Sequence, residues 1–321
     1  MKPSSLAGDA PAVLELPALE EAPLRVSGSP GLAAMIQDCV ELTKLRVTLL
    51  VLLTALVGYI MASRHTGVAP DLWTLVCALV GTALVAAGAA AVNQVLERDR
   101  DARMERTRAR PIPSGRLGAH AALSFSAAAT LSGLALLLVG VNGPATAAAA
   151  ATFALYAFIY TPLKTRTHLS TVVGAVPGAL PPLIGWLAAG GDLSGPAWIL
   201  FGILFFWQLP HFLAIAWLHR EDYARGGYPI LTVIDPTGVA MGRQAVLNGM
   251  ALLPVSLLPA VVRQNGPAYF WIALGLGLAF LFMTGWLAVA RSRLSARAAL
   301  IASLLYLPAL LVSMVLDRGA H

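Results

Sequence analysis

Leu72-Trp-Thr-Leu-Val-Cys-Ala-Leu-Val-Gly-Thr-Ala-Leu-Val-Ala-Ala-Gly-Ala-Ala-Ala-Val92 runs without a charge into Asn93-Gln-Val-Leu-Glu97-Arg-Asp99-Arg-Asp101. As a helix the apolar part is long enough to cross a hydrocarbon core of about 30 Å. The polar part is followed at once by Arg103, Arg106, Arg108 and Arg110. If the helix continues, Asn93, Glu97 and Asp101 fall at i, i+4 and i+8 and line one face. Asp99 then lies about 200° round the helix from Glu97 and suits an arginine partner instead. An amide and two carboxylates on one face, beside a cluster of guanidiniums, suit the capture of Mg2+ together with a diphosphate. Oxygen ligands match the hard cation, and arginine forks match phosphate oxygens. The plainer alternative is that these charges make surface ion pairs in an amphipathic loop.

Composition agrees with the membrane reading. Apolar residues make up 58% of the 321, charged residues 12%, and the mean hydropathy is +0.74. A soluble domain carries about twice that charge, so the expected fold class is all-α, a polytopic bundle around a central cavity. Nine spans are expected, at about 45–62, 72–92, 119–140, 144–161, 170–189, 196–218, 240–262, 267–290 and 298–316. Residues 1–37, rich in Pro, Ala and Glu, are expected to be a disordered cytoplasmic tail ahead of one membrane domain at 38–321. A cleaved signal peptide is not expected, because the first apolar run begins near Leu45 and is span-sized. Cys39 and Cys77 have no metal-like spacing and suit apolar packing.

Charge asymmetry orients the bundle. With the N-terminus in the cytoplasm, all of the 22 Lys and Arg residues except Arg64, Arg263 and Arg318 fall on the cytoplasmic side, as the positive-inside rule requires. The net charge of +6 reflects this topology and gives no ground for nucleic-acid binding, since the basic residues flank spans and lack a nucleic-acid module. Within the expected spans the only ionisable group at mid-membrane depth is His211, whereas pumps and proton-coupled transporters usually place several there. The chemistry is therefore expected at the cytoplasmic face above an apolar interior, which suits an amphiphile with a charged head.

A second polar loop follows the sixth span: His219-Arg-Glu221-Asp222-Tyr223-Ala-Arg225-Gly226-Gly227-Tyr228-Pro229. It stands four spans after the first acidic loop, so a loose internal repeat would bring two carboxylate sets to one cavity. Pro177, Pro181 and Pro182 are expected to kink the fifth span and open that cavity.

These residues carry a resemblance. Asn93 to Asp101 resembles the N-x-x-x-D-x-x-x-D motif of the intramembrane prenyltransferase superfamily, with Glu97 in the middle place. Five blocks in order resemble the protoheme IX farnesyltransferase (haem O synthase) family more closely. They are Asp101 to Gly115 with its Arg106-Thr-Arg108-Ala-Arg110-Pro core, Tyr160-Thr-Pro-Leu-Lys164-Thr-Arg166-Thr, Pro181 to Trp186, Trp207-Gln-Leu-Pro-His211-Phe, and Glu221-Asp222-Tyr223 with Gly226 to Pro229. Many superfamily members have a second D-x-x-x-D, but Leu218 and Gly226 flank Asp222 here. The second set is reduced to Asp222, with Glu221 as a possible helper.

The resemblance implies transfer of a farnesyl group from farnesyl diphosphate to haem B in a bacterial inner membrane. The product would feed a haem-modifying enzyme or the assembly of haem–copper oxidases. It implies Mg2+ as cofactor, held by Asn93, Glu97, Asp101 and Asp222, with Lys164, Arg106 and Arg110 on the diphosphate. Tyr160, Tyr223, Trp207, Arg166 and Glu221 are further candidates for substrate contact, as is Tyr156. His211 is a candidate iron ligand or equally a structural histidine bonded near Pro210. Any of Arg103, Arg108, Arg166, Arg220 or Arg225 can serve the haem propionates. Two alternatives stand: the same scaffold acting on a quinone precursor or chlorophyllide, and a lipid or haem transporter without catalysis. The transporter alone would tolerate Glu97→Gln and Asp101→Asn.

Overall fold

The computed structural model describes residues 32–317. Of the tail expected over 1–37, residues 1–31 lie outside the described residues, and 32–37 belong to the first helix, α1 (Leu32–Leu42). Nine spans follow among the described residues. They are α2 (Leu45–Thr66), α3 (Leu72–Asp101), α4 (Ala119–Gly140), a composite of α5 (Gly143–Ala154), a π-helical turn (Leu155–Tyr160) and α6 (Thr161–Leu163), then α7 (Ser170–Ala179) continued by α8 (Pro181–Ala188). After these come α9 (Gly195–Leu218), the short α10 (Arg220–Arg225) and α11 (Leu231–Ile234), and the last three spans α12 (Val239–Val261), α13 (Pro267–Ala290) and α14 (Arg293–Leu316).

All nine fall where the apolar runs place them. The largest departure helps build the site: α3 keeps its helix nine residues past Val92, so the acidic run is helical to Asp101. Helix starts are fixed locally. Asp71 accepts from the Thr74 N–H at 2.7 Å and Asn142 from the Ala145 N–H at 2.9 Å. Each satisfies an amide that has no partner inside its helix. The fifth span breaks at Leu180, between Pro177 and Pro181, as expected of residues that withhold an amide donor.

With lipid outside and no water inside, helices adhere through close packing rather than hydrophobicity, and small residues mark the contacts. The tightest crossing joins α2 to α8. A methyl group on Gly185 would overlap the Ala55 carbonyl oxygen, and one on Gly58 would overlap the Pro182 carbonyl oxygen. Both obstacles are backbone, so neither helix can yield by a rotamer change. Gly185→Val is accordingly expected to cost about 3 kcal/mol, read as a lowered melting temperature in detergent. Gly275→Ala, which meets nothing within 4 Å, is the matched control and should stay within about 0.5 kcal/mol. The main apolar core lies between α2, α8, α9, α13 and α14, around Trp186, Ile203, Tyr269 and Leu310.

Candidate active site

The last three turns of α3 carry Asn93, Glu97 and Asp101, and all three are buried. Each meets a cation from a different part of the chain. Lys44 Nζ donates to Asn93 Oδ1 at 3.0 Å. Lys164 Nζ lies 3.0 and 3.1 Å from the two Glu97 carboxylate oxygens. Arg110 Nη1 donates to Asp101 Oδ2 at 2.7 Å. Two carboxylates thus face three cations, and the excess positive charge suits an anion arriving from solution. The other Asp101 oxygen, Oδ1, is buried and has no hydrogen-bond partner. An orphaned buried acceptor is costly, and a bound cation would satisfy it. The donor set of one amide and two carboxylates is that of a hard divalent ion, so these residues fit Mg2+.

Local structure explains how the three cations arrive. Lys44 joins α1 to α2 in a left-handed conformation, with φ 49° and ψ 53°, which costs a non-glycine residue roughly 1 kcal/mol or more. The strain turns its side chain inward, and burial, with Arg110 nearby, lowers its pKa to about 8. Burial also works against the charged form of Lys164, but Glu97 outweighs it and holds that ammonium protonated well above the ordinary lysine range. The π-helical turn ends beside Thr161, whose hydroxyl accepts from Asn93 Nδ2 at 3.1 Å and donates to the Tyr156 carbonyl at 2.8 Å. Extra residues in a helical turn re-aim side chains and often mark functional sites. Here Asn93 is held so that its oxygen faces Lys44.

The second acidic loop closes over the first. Asp222 Oδ1 accepts from the Glu105 N–H at 3.0 Å and from Arg225 Nη2 at 2.7 Å. Burial pushes the Asp222 carboxyl up, yet these donors outweigh it and hold its pKa below the usual range. Arg100 donates to the Gly226 and Gly227 carbonyls at 3.1 and 2.6 Å, and the left-handed turn at Gly227 (φ 67°) aims them. Tyr228 is buried between Lys164 Nζ, 4.6 Å from the ring centroid, and Arg100, at 5.3 Å. Both cations lie close enough for cation–π attraction. The two loops of the expected repeat therefore meet. Asp222 is turned to the backbone of the first loop rather than to the α3 carboxylates, because Arg225 and an unsatisfied N–H compete for it at close range. Among the described residues no three His, Cys, Asp or Glu side chains gather closely enough to hold an ion, so the amide of Asn93 is needed to complete the oxygen set on α3.

Beneath the cluster lies an apolar chamber of about 290 Å3, with Lys44 at its head and Val51, Val85, Tyr156, Pro181 and Ile184 along its walls. A second chamber, of about 220 Å3, is lined by Arg106, Lys164, Thr171 and Tyr223. Tyr160, Gly174 and Phe212 line both. Tyr156 and Tyr160 stand with ring centroids 5.3 Å apart, and Arg106 lies 5.9 Å from the Tyr223 ring.

Most residues expected at the site are brought together: Asn93, Glu97, Asp101, Arg110, Lys164, Arg106, Tyr160 and Tyr223. Others are not. Trp207 and His211 face α14, where Trp207 Nε1 donates to the Ser303 carbonyl at 2.8 Å and His211 Nδ1 lies 2.7 Å from Ser303 Oγ. On α9 the chamber side is taken by Gln208 and Phe212 instead, about 100° away for adjacent residues. Glu221 and Arg166 are exposed at the rim. Asp99 pairs with Arg98 at 3.3 Å in the open. Three contributors escaped the sequence reading. Lys44 looked like one of many charges flanking a span, Thr161 like part of a span end, and Tyr228 like a loop aromatic. No periodicity or spacing sets them apart.

The family model of the UbiA prenyltransferase family matches residues 51–313. The chain belongs to that family. Among its UbiA relatives, a protoheme IX farnesyltransferase of Solibacter usitatus is 47% identical over 88% of this chain and 99% of its own length. One from Koribacter versatilis is 41% identical over 90% and 96%. The mitochondrial protoheme IX farnesyltransferase of Arabidopsis thaliana is 37% identical over 92% of this chain and 69% of its own. The UbiA fold is matched by the solved structure of a digeranylgeranylglyceryl phosphate synthase, with TM-score 0.73 and 17% identity over 88% of this chain and 98% of that one. A UbiA homologue from Archaeoglobus fulgidus bound to GPP and Mg2+ superposes with TM-score 0.59 and 14% identity over 85% and 99%. The same homologue has also been solved bound to DMAPP and Mg2+.

Proposed function

We propose that this chain transfers the farnesyl group of farnesyl diphosphate to a vinyl group of haem B, giving haem O and diphosphate. The observation that carries the reading is the cationic cluster on Asn93, Glu97 and Asp101 at the head of an apolar chamber. Names of relatives aligned over most of their length support the acceptor.

Mg2+ held by Asn93, Glu97 and Asp101 would neutralise diphosphate charge and so make it a better leaving group. Lys44, Lys164, Arg106 and Arg110 bind the same head and stabilise the charge that grows on the leaving oxygen as the C1–O bond breaks. The bonding pair leaves with the diphosphate. The allylic cation is attacked by the vinyl π electrons, which forms the new carbon–carbon bond. Water then adds to the cation left beside the porphyrin and releases a proton, giving the hydroxyethylfarnesyl group. The chamber walls keep water off the first cation, and Tyr156 and Tyr160 offer it aromatic faces. Asp222 and Tyr228 hold the covering loop. Of the guanidiniums open to haem propionates, Arg225 is engaged by Asp222 and Arg220 lies 4.6 Å from the Trp217 ring, which leaves the exposed Arg103, Arg108 and Arg166. The charge asymmetry favours a cytoplasmic position for this face, and a bacterial inner membrane with the product passed on to a haem-modifying enzyme or oxidase assembly belongs to the same reading.

The test is purified protein in lipid supplied with haem B, farnesyl diphosphate and Mg2+, with extracted haems weighed by mass spectrometry. A product heavier by one farnesyl group plus water, absent with EDTA, supports the reading. Diphosphate release without a haem product would overturn the acceptor.

Two outcomes follow from the site. Protonated Lys44 is the form that attracts the diphosphate, and its lowered pKa means the charge is lost as pH rises through about 8. The specificity constant for farnesyl diphosphate, which reports the free enzyme, should therefore fall above that pH and stay level in Lys44→Arg. His211→Ala should cost about 1 kcal/mol for its lost bond to Ser303 and leave the Soret band of bound haem B unmoved. A shifted band would return this histidine to the iron.

A further inference from the structure

Two grooves on the outer side of α12 converge on one guanidinium. The first, of about 350 Å3, lies against α7 and α9 and has walls of Val172, Leu209, Leu213 and Leu247, with His168, Thr171, Gln244 and Asn248 as its uncharged polar groups. The second, of about 410 Å3, lies between α12 and α13, is walled by Val239, Val246 and Ala288, and ends at Arg291. Arg243 and Leu247 line both. No acidic residue lines either groove. Arg243 is exposed and makes no ion pair among the described residues. It sits about 6 Å along α12 from its first residue, at the end of the bundle that carries the two polar loops. A long side chain at that depth can keep its head at the membrane surface while its stem covers apolar wall. Arg291, the left-handed cap of α13, is steadied nearby by its contact with the Thr237 carbonyl at 3.5 Å.

We propose that Arg243 and Arg291 hold the phosphate of a diacyl phospholipid with a net negative headgroup, one acyl chain lying in each groove. Two apolar channels diverging from one cation match a two-chain amphiphile. A porphyrin would need a single broad slot. No carboxylate lines either groove, and the nearby Asp235 is engaged by Thr237 and the Ala240 N–H, so charge complementarity favours the anionic class over a zwitterionic headgroup. Basic pockets between membrane helices are general sites for such headgroups. The seat also reaches the candidate active site: Thr171 lines both the first groove and the chamber of Arg106 and Lys164. The same helix packs Gly174 on Tyr160 and Gly178 on Gln208, so a seated lipid braces the wall of both chambers. The proposal does not depend on which acceptor the chain prenylates.

The full chain, stripped in detergent and given phosphatidylglycerol, phosphatidylcholine or haem B, is weighed intact by native mass spectrometry. Phosphatidylglycerol should be retained over phosphatidylcholine. Arg243→Ala should lower that retention roughly fivefold, and Arg243→Glu should abolish it. Leu247→Trp, which fills the grooves without touching the charge, should lower it as well. Arg263→Ala, at the other end of the bundle, should not. Melting temperatures show which variants are folded, and Leu247→Trp decides the matter if Arg243 cannot be replaced. Equal retention of both lipids, full retention by folded Arg243→Glu or Leu247→Trp, or displacement of the lipid by haem B would each overturn the proposal.

Discussion

Asp101→Asn and Glu97→Gln are each expected to lower farnesyl transfer by about 10²- to 10³-fold, measured on the folded fraction of each variant. Both replacements keep the side-chain shape and remove one negative charge. In Asp101→Asn the buried orphan oxygen at Oδ1 loses its attraction for a divalent ion, and Arg110 loses its partner. In Glu97→Gln, Lys164 keeps the Tyr228 ring 4.6 Å away but loses its carboxylate partner, so a loss of stability accompanies the loss in turnover and Mg2+ dependence. Mg2+ titration of kcat for each variant, beside its melting temperature, separates the two effects. Unchanged haem O accumulation in cells expressing both variants would sink the metal assignment.

Lys164→Met carries the next largest effect. Glu97 is nearly fully buried, and Lys164 supplies both of its recorded hydrogen bonds. Removing one member of a buried pair leaves an uncompensated charge, at a cost of about 3–5 kcal/mol. The same change strips an ammonium from the leaving group, so activity should fall by about 10²-fold as well. The double variant Glu97→Gln with Lys164→Met distinguishes these losses. Neutralising both partners should recover most of the stability, because neither charge is then left buried alone, while turnover stays low. A double variant no slower than Glu97→Gln alone would show that Lys164 acts only by holding Glu97. Lys164→Arg should restore charge but not full rate, since the planar fork cannot occupy the place of a compact ammonium against Tyr228.

The spans were legible because a membrane helix announces itself through length and lack of charge, and both are properties of local sequence. The α3 face was legible for the same kind of reason: residues four apart on one helix share a side whatever the rest of the chain does. For His211 and Trp207 the sequence left a site role and a structural role open, because a motif does not say which side of α9 faces the cavity. That side is set by α14, which takes both residues through Ser303.

Sequence by itself determined the fold class, the places of the nine spans and the shared face of Asn93, Glu97 and Asp101. All of these rest on periodicity and hydropathy within single segments. The tertiary structure decided which cation meets which oxygen: Lys44 for Asn93, Lys164 for Glu97 and Arg110 for Asp101. It also turned Asp222 to the Glu105 backbone and set Tyr228 beneath two cations. The 22 Lys and Arg residues are near-equivalent in a linear reading. Only the strained turn at Lys44, the π-helical turn and the closing second loop bring a chosen few within hydrogen-bonding distance, where the electrostatic attraction of a buried site is strongest.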